Sequence, residues 1–332
     1  MSLSNNVILC FGEALIDFLA GEPAQGQART FRQFAGGAPA NAAVAVAKLG
    51  GRCEFVGMLG EDMFGDFLLH SLREAGAGVR YVRRTAAANT ALAFVSLDAH
   101  GERSFSFYRP PAADLLFRDT DFDAGCFDAA GIFHACSNSL TDTGIAATTL
   151  SGMARARAAG ALVSLDLNLR PALWPDATPA LAVLWRALES ADLIKLAREE
   201  LEYLKEGRFG DEDIIVRLLR TARLVLITDG AAPMRWFSRA RSGELPTIQV
   251  KAVDTTAAGD AFIGGLLSQF QQAEVDARSF DAFLAQPAEL ERCLRYASAC
   301  GALAVTRHGA FAALPTHAEA VALLGSPPVV EA

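Results

Sequence analysis

Residues 254–270 read DTTAAGDAFIGGLLSQF. Small and hydroxyl-bearing residues lead into a glycine and an acid, and the pattern then turns helical. Asp260 therefore stands in the first turn of a helix. A carboxylate there is favoured by roughly 0.3–1 kcal/mol at an exposed site, which makes a helix cap the plain reading. The residues before it open a second one. Ala257, Ala258 and Gly259 are small enough for a bound group to approach the backbone, and their amides, with the helix start, can form an anion hole. A carboxylate beside such a hole can take a proton from a hydroxyl, the combination that phosphoryl transfer requires.

Outward from this stretch the chain alternates. Short apolar runs at 7–11, 53–58, 131–135, 161–166, 193–196 and 224–228 read as buried strands. Helical patterns fall between them at 36–50, 62–75, about 142–159, 179–190, 197–206 and 212–221, and a last long helix covers about 288–306. A further strand pair lies near 234–250. The alternation implies an α/β fold: a doubly wound, mostly parallel sheet with helices on both faces, with ligands at the strand-end loops. Residues 91–108 break the rhythm with two strands joined by AHG, a hairpin that reads as a flap or lid. The whole chain, 1–332, reads as one domain, with a lid from about 18–35 and 90–112. Phe105 and Phe107 share one face of the hairpin and are placed to close over a ligand.

The front of the chain carries GGAPANAAVAVAKLG at 36–50. Gly36 and Gly37 precede a helix start, where unpaired N–H groups are presented. Asn41 can donate and accept hydrogen bonds, which suits a polyol. A tight turn ahead of a close-packed helix explains the same residues. Asp17, in GEALID after the first strand, is either a solvated loop acid or an acceptor for ligand hydroxyls. Neither GxGxxG nor GxxxxGK[ST] is present.

Composition sets the limits. The 332 residues are 52% apolar and 20% charged, with a formal charge of −8, so a large core is available and non-specific nucleic-acid binding is disfavoured. No apolar stretch reaches the roughly 18–20 residues a bilayer span needs, so no membrane partner is expected. Six cysteines without CxxC spacing read as reduced, core-packed thiols of a cytoplasmic protein.

Taken together, the two glycine-containing motifs resemble the PfkB-type (ribokinase-like) carbohydrate kinase family. Gly36, Gly37, Asn41, Gly50 and Gly60 meet its first pattern. Asp254, Thr255, Thr256, Ala258, Gly259 and Asp260 meet its DTxGAGD segment. The resemblance implies a ribokinase-like fold with a β lid, and ATP-dependent phosphorylation of a sugar hydroxyl with Mg²⁺, with K⁺ as an activator common among relatives. It implies Asp260 as base, Ala257, Ala258 and Gly259 as anion hole, and Asp17, Gly36, Gly37 and Asn41 as sugar contacts. Thr228 and Gly230 resemble the nucleotide-phosphate turn, and Ser298 and Gly301 fall at the adenine pocket. The family usually has glycine where this chain has Ala257; if that position needs positive φ, alanine is strained by about 1 kcal/mol or more. Many relatives carry Asn-x-x-Glu near the metal. Here Lys195, grouped with the nucleotide contacts, takes the Asn position and Arg198 the Glu position, which leaves the metal-site acid unassigned.

SLDLNLRPALW at 164–174 is similar to the DxNxRxxLW run of fructokinases: Asp166, Asn168, Arg170, Leu173 and Trp174. Asp166 and Asn168 are read as substrate contacts. Arg170 is either a surface salt-bridge former or a fixed cation whose planar fork suits phosphoryl oxygens. The resemblance implies fructose as acceptor, phosphorylated at the 6-hydroxyl. A 2-keto-3-deoxygluconate kinase is the alternative, with Tyr108 and Arg109 facing the extra carboxylate. A non-catalytic sugar-binding regulator is the remote one. A lid with apolar surface favours a homodimer.

Overall fold

The computed structural model describes residues 6–21, 28–97, 103–109 and 111–325. Its first half runs β1 (Val7–Phe11), β2 (Leu15–Ala20), β3 (Phe31–Gly36), α1 (Ala38–Lys48), β4 (Cys53–Gly60), α2 (Met63–Glu74) and β5 (Gly78–Thr85). Then come β6 (Leu92–Leu97), β7 (Arg103–Tyr108), β8 (Ala130–Cys136), α3 (Thr143–Ala158) and β9 (Leu162–Asp166). The second half runs α4 (Leu181–Leu188), β10 (Leu193–Ala197), α5 (Arg198–Lys205), α6 (Asp211–Leu218), β11 (Leu224–Asp229), β12 (Ala232–Ser238) and β13 (Ser242–Leu245). It closes with α7 (Ala258–Gln272), α8 (Phe280–Leu284), α9 (Pro287–Ala304) and α10 (His317–Gly325).

Nine strands form one sheet in the order β13-β12-β11-β10-β9-β8-β1-β4-β5. It is parallel from β5 to β11 and antiparallel only at β12 and β13. β1 shows why both faces are covered. Ile8 and Cys10 pack into the core beneath α1, α7 and α9, while Leu9 and Phe11 pack into the opposite core beneath α3, α4, α5 and α6. Period-two alternation of apolar residues on both faces needs a helical layer on each side. The doubly wound α/β fold is as expected from the alternation.

The second sheet has the order β3-β2-β6-β7. β2 pairs with β6 in parallel, which joins the 92–108 hairpin to the segment after β1. One face carries Phe34, Asp17, Ala93 and Phe107 across the four strands, and the other carries Phe18 and Phe94. This small sheet fits a lid. The side chain of Phe105 lies outside the described residues. Three elements, β5, α8 and α10, were not expected from the sequence. β5 is a charged edge strand, GVRYVRRT, whose arginines suit an edge rather than a buried run. α10, with one buried residue, carries too weak an apolar stripe to stand out. All six cysteines are free and buried, and among the described residues no helix is long and apolar enough to cross a membrane.

Candidate active site

The parallel strands end on one side, and the loops leaving β1, β8, β9, β10 and β11 converge there with the N-termini of α1 and α7. Two cavities of about 410 and 420 Å³ open on this side. They share Thr228, Thr255, Ala258 and Gly259 as a common wall.

The first cavity is polar. Asp17, Gly37, Asn41 and Phe107 line it from the lid and the front loops, Asn168 and Arg170 from the loop after β9, and Lys195 and 257–260 complete it. Gly37 caps α1 at φ 104, and a side chain there would meet the Glu13 carbonyl oxygen at 2.6 Å, so glycine is required. Gly36 ends β3 beside Asp17. Asn168 leaves β9 at φ 41, a left-handed conformation that asparagine tolerates. Asn41 Nδ2 donates to Asp260 Oδ2 at 2.7 Å, and Asn41 Oδ1 is buried with no partner. Asp260 is only 8% exposed. Burial pushes its carboxyl up to about 7, and Asp166 adds to the rise; the Asn41 hydrogen bond and the charges of Lys195 and Arg170 oppose it.

The turn before α7 lines the cavity with residues 257–260. Ala257 sits at φ 59, ψ 10, so the alanine pays the left-handed strain anticipated above. The first-turn amides of a helix have no intrahelical acceptors; here the Ala258 N–H donates to the Thr255 carbonyl at 3.4 Å. Asp254 braces the turn: Oδ1 accepts the Thr256 N–H at 2.7 Å and Oδ2 accepts the Gly309 N–H at 3.2 Å.

The second cavity is largely apolar, walled by Met234, Ile248, Val250, Phe262 and Val305. Gly230, Ser298 and Gly301 also line it. It has the size and character of a site for a flat ring, with the shared wall at its polar end.

Three expected contacts lie elsewhere. Arg109 is buried away from the cavity, its guanidinium held by Asp114 Oδ2 at 2.9 and 2.5 Å. Asp166 is buried behind Lys195, which donates to its Oδ2 at 3.0 Å. Tyr108 packs on Phe94 on the outer lid face. Arg198, given the metal-acid position, instead pairs with Asp211 and Glu202.

Three lining residues went unread in the sequence. Glu13 is buried; its Oε1 accepts from Ala38 N–H at 3.2 Å and Asn138 Nδ2 at 2.9 Å. Burial raises its carboxyl, with Arg109 opposing. Asn138 turns an unpartnered Oδ1 into the same buried region. Glu200 accepts the N–H groups of Leu169 and Ala197 at 2.6 and 2.7 Å, and burial raises it while Lys195 opposes. An acid two residues past an apolar strand was the available signal for Glu13, and a glutamate at the third helical position, able to accept the N–H before the helix, was the signal for Glu200.

The family model for "pfkB family carbohydrate kinase" matches residues 5–317. The chain is 40% identical over 329 residues to fructokinase-1 of Oryza sativa subsp. japonica, covering 98% of this chain and 100% of that one. A crystal structure of fructokinase with bound ATP from Xylella fastidiosa superimposes with a TM-score of 0.92 at 54% identity, over 97% of this chain and 98% of that chain. Fructokinase from Vibrio cholerae O395, crystallised in a fructose, ADP and calcium ion bound form, gives 0.85 at 32% identity, over 97% and 99%.

Proposed function

The chain belongs to the pfkB family of carbohydrate kinases, a sugar phosphotransferase, and from that premise we propose that it transfers the γ-phosphoryl group of ATP to the 6-hydroxyl of fructose. The observation that carries this reading is the wall common to the two cavities. A phosphoryl group passing between an apolar nucleotide site and a polar sugar site has to cross residues 255–259, next to Asp260.

In this reading the buried Asp260 takes the proton of the attacking hydroxyl. A base with affinity near neutrality is matched to that task. The 257–260 amides and Arg170 hold the charge of the transferring group. Asp17, Asn41 and Asn168 meet sugar hydroxyls, and the orphaned Asn41 Oδ1 is an acceptor in want of such a donor. Thr228 and Gly230 hold the nucleotide phosphates, and Ser298 and Gly301 flank the base.

Magnesium would spread the negative charge of the phosphates. Among the described residues no group of three or more His, Cys, Asp or Glu can hold a metal, which fits an ion that keeps its waters and phosphate oxygens. A potassium ion would sit by the loop after Asp254 and the segment 306–309.

We also read the chain as one domain whose second sheet closes over the sugar and excludes water. Its outer face, with Phe31 43% and Tyr108 68% exposed, would be covered in a homodimer.

The keto-acid alternative called on Tyr108 and Arg109. The first packs outward and the second is neutralised by Asp114, which favours an uncharged ketose.

The test is coupled ADP release with MgATP against fructose, 2-keto-3-deoxygluconate, ribose, glucose and adenosine. Fructose is expected to dominate. Preference for the keto-acid would move the acceptor assignment, and binding without turnover would leave only a regulator.

A further inference from the structure

Asp166 and Lys195 are paired residues on adjacent parallel strands, β9 and β10. Their side chains are 2% and 6% exposed and lie 3.0 Å apart. Desolvating two charges is costly, and a buried pair often adds nothing to stability over an apolar one. Its place in the molecule suggests what it does instead. A Cβ built on Gly259 would lie 2.8 Å from Lys195 Nζ. The ammonium thus occupies the space a side chain at 259 would need, at the edge of the cavity that Lys195 lines; Asp166 Oδ2 lies 3.8 Å from the same point and is not part of the cavity lining.

We propose that Lys195 is a catalytic cation fixed under this turn, that Asp166 is a positioning residue that holds it there, and that residue 259 is glycine because the ammonium fills the space of a side chain. The proposal rests on the turn being the transfer site. As the sugar oxygen–phosphorus bond forms and the nucleotide's phosphorus–oxygen bond breaks, the hydroxyl proton goes to Asp260. Lys195 keeps its own proton throughout. It supplies a charge that needs no reorganisation, in surroundings where water does not screen it. Arg170 is a cation of another kind: it stands exposed on a loop, with Nη1 donating to the Leu169 carbonyl at 3.1 Å.

A double-mutant cycle on the full chain, read as ADP release with ATP and fructose, tests this. Lys195→Met is expected to lower kcat about 100-fold with the fructose KM held within about threefold. Asp166→Asn is expected to cost about tenfold, and nothing further once Lys195 is Met, because coupled residues are not additive. The acid limb of kcat supplies a readout that a structural role would not move. Asp260 is faced by Asn41, Asp166, Lys195, Arg170 and the Cys136 thiol. Losing Lys195 moves the limb to higher pH, and losing Asp166 moves it to lower pH.

If a single variant fails to fold, the double variant, which removes both members of the Asp166–Lys195 pair, still reports the Lys195 effect, and Lys195→Arg, too bulky for the space at Gly259, is expected to be nearly as poor as Lys195→Met. Retention of more than about a third of kcat in Lys195→Met, costs that multiply, or an unmoved limb would overturn the proposal. Asp260→Asn is assayed in parallel. An active Asp260→Asn beside an inactive Lys195→Met sinks the base assignment and leaves the lysine; the reverse pattern sinks the lysine and leaves the base.

Discussion

Asn41 Nδ2 donates to Asp260 Oδ2 at 2.7 Å, so one hydrogen bond joins the glycine-rich loop at the front of the chain to the acid 219 positions later. It also aims the carboxylate. One oxygen is tied to Asn41, which leaves the other for a ligand. Asp260→Asn is expected to lower kcat by about three orders of magnitude while sugar affinity changes by only a few-fold. Steady-state kinetics with calorimetric titration of fructose separates the two; retained turnover removes Asp260 from the base role.

The raised proton affinity of Asp260 sets a pH profile. Its ionised fraction grows through about 7, so kcat should climb along a one-proton limb and level off above about 8. Stability runs the other way. The unfolded carboxyl titrates at about 4, so the contribution of this group is fully present below that and lost as pH rises through the folded value. Thermal melts of Asp260→Asn should exceed wild type at about pH 8 and match it at about pH 4. Equal melts at both would show that burial does not strain this acid.

Ala257 holds a left-handed backbone, φ 59. Replacing it by glycine removes roughly 1 kcal/mol of strain, partly offset by a more flexible unfolded chain. Ala257→Gly is expected to gain roughly 0.5 kcal/mol in urea denaturation with kcat within about threefold of wild type. Ala257→Val should lose both stability and turnover. A glycine variant less stable than wild type would mean that the alanine methyl contributes packing that outweighs its strain.

Arg109 and Asp114 form a pair that is almost wholly buried where β7 leaves the second sheet. Arg109→Met leaves Asp114 as an uncompensated buried charge and should cost about 3–5 kcal/mol of unfolding free energy. Substituting Asp114→Leu as well should restore much of it. Urea titration of the two variants decides; a loss under about 1 kcal/mol in the single variant would mean the carboxylate finds another partner or simply takes up a proton.

Ser298 borders the apolar cavity on α9, its hydroxyl against the Met234 sulfur at 3.6 Å. Ser298→Phe fills that space and should raise the KM for ATP by about tenfold or more with the KM for fructose unchanged. A shift in the fructose KM alone would reverse the assignment of the two cavities.

The central strands and most helices were legible because period and length are local properties: Ile8 and Cys10 against Leu9 and Phe11 announce a two-faced strand without reference to anything distant. The left-handed backbone at Ala257 was legible in another way, from the resemblance to a family that usually has glycine there. What escaped is what depends on a partner far along the chain or around a bend. Arg109 ends a lid strand and looked free to meet a ligand, but the 3-10 turn at Ala113–Leu116 returns Asp114 to it. Asp166 looked like a strand-end contact, and only the alignment of β9 with β10 shows it committed to Lys195. Glu200 was hidden by one residue: its neighbour Glu199 is exposed, and only the phase of α5 tells which of the two points inward.

The wall between the two cavities is built from residues 228–259, whereas the rest of the polar cavity is closed mostly by residues before position 201. The turn at 206–210, between α5 and α6, is exposed at every residue. A break there would give two polypeptides that each carry half of a working centre and no turnover of their own. Brought together by fused partners, they would make a split-enzyme reporter, with ADP as the signal of association.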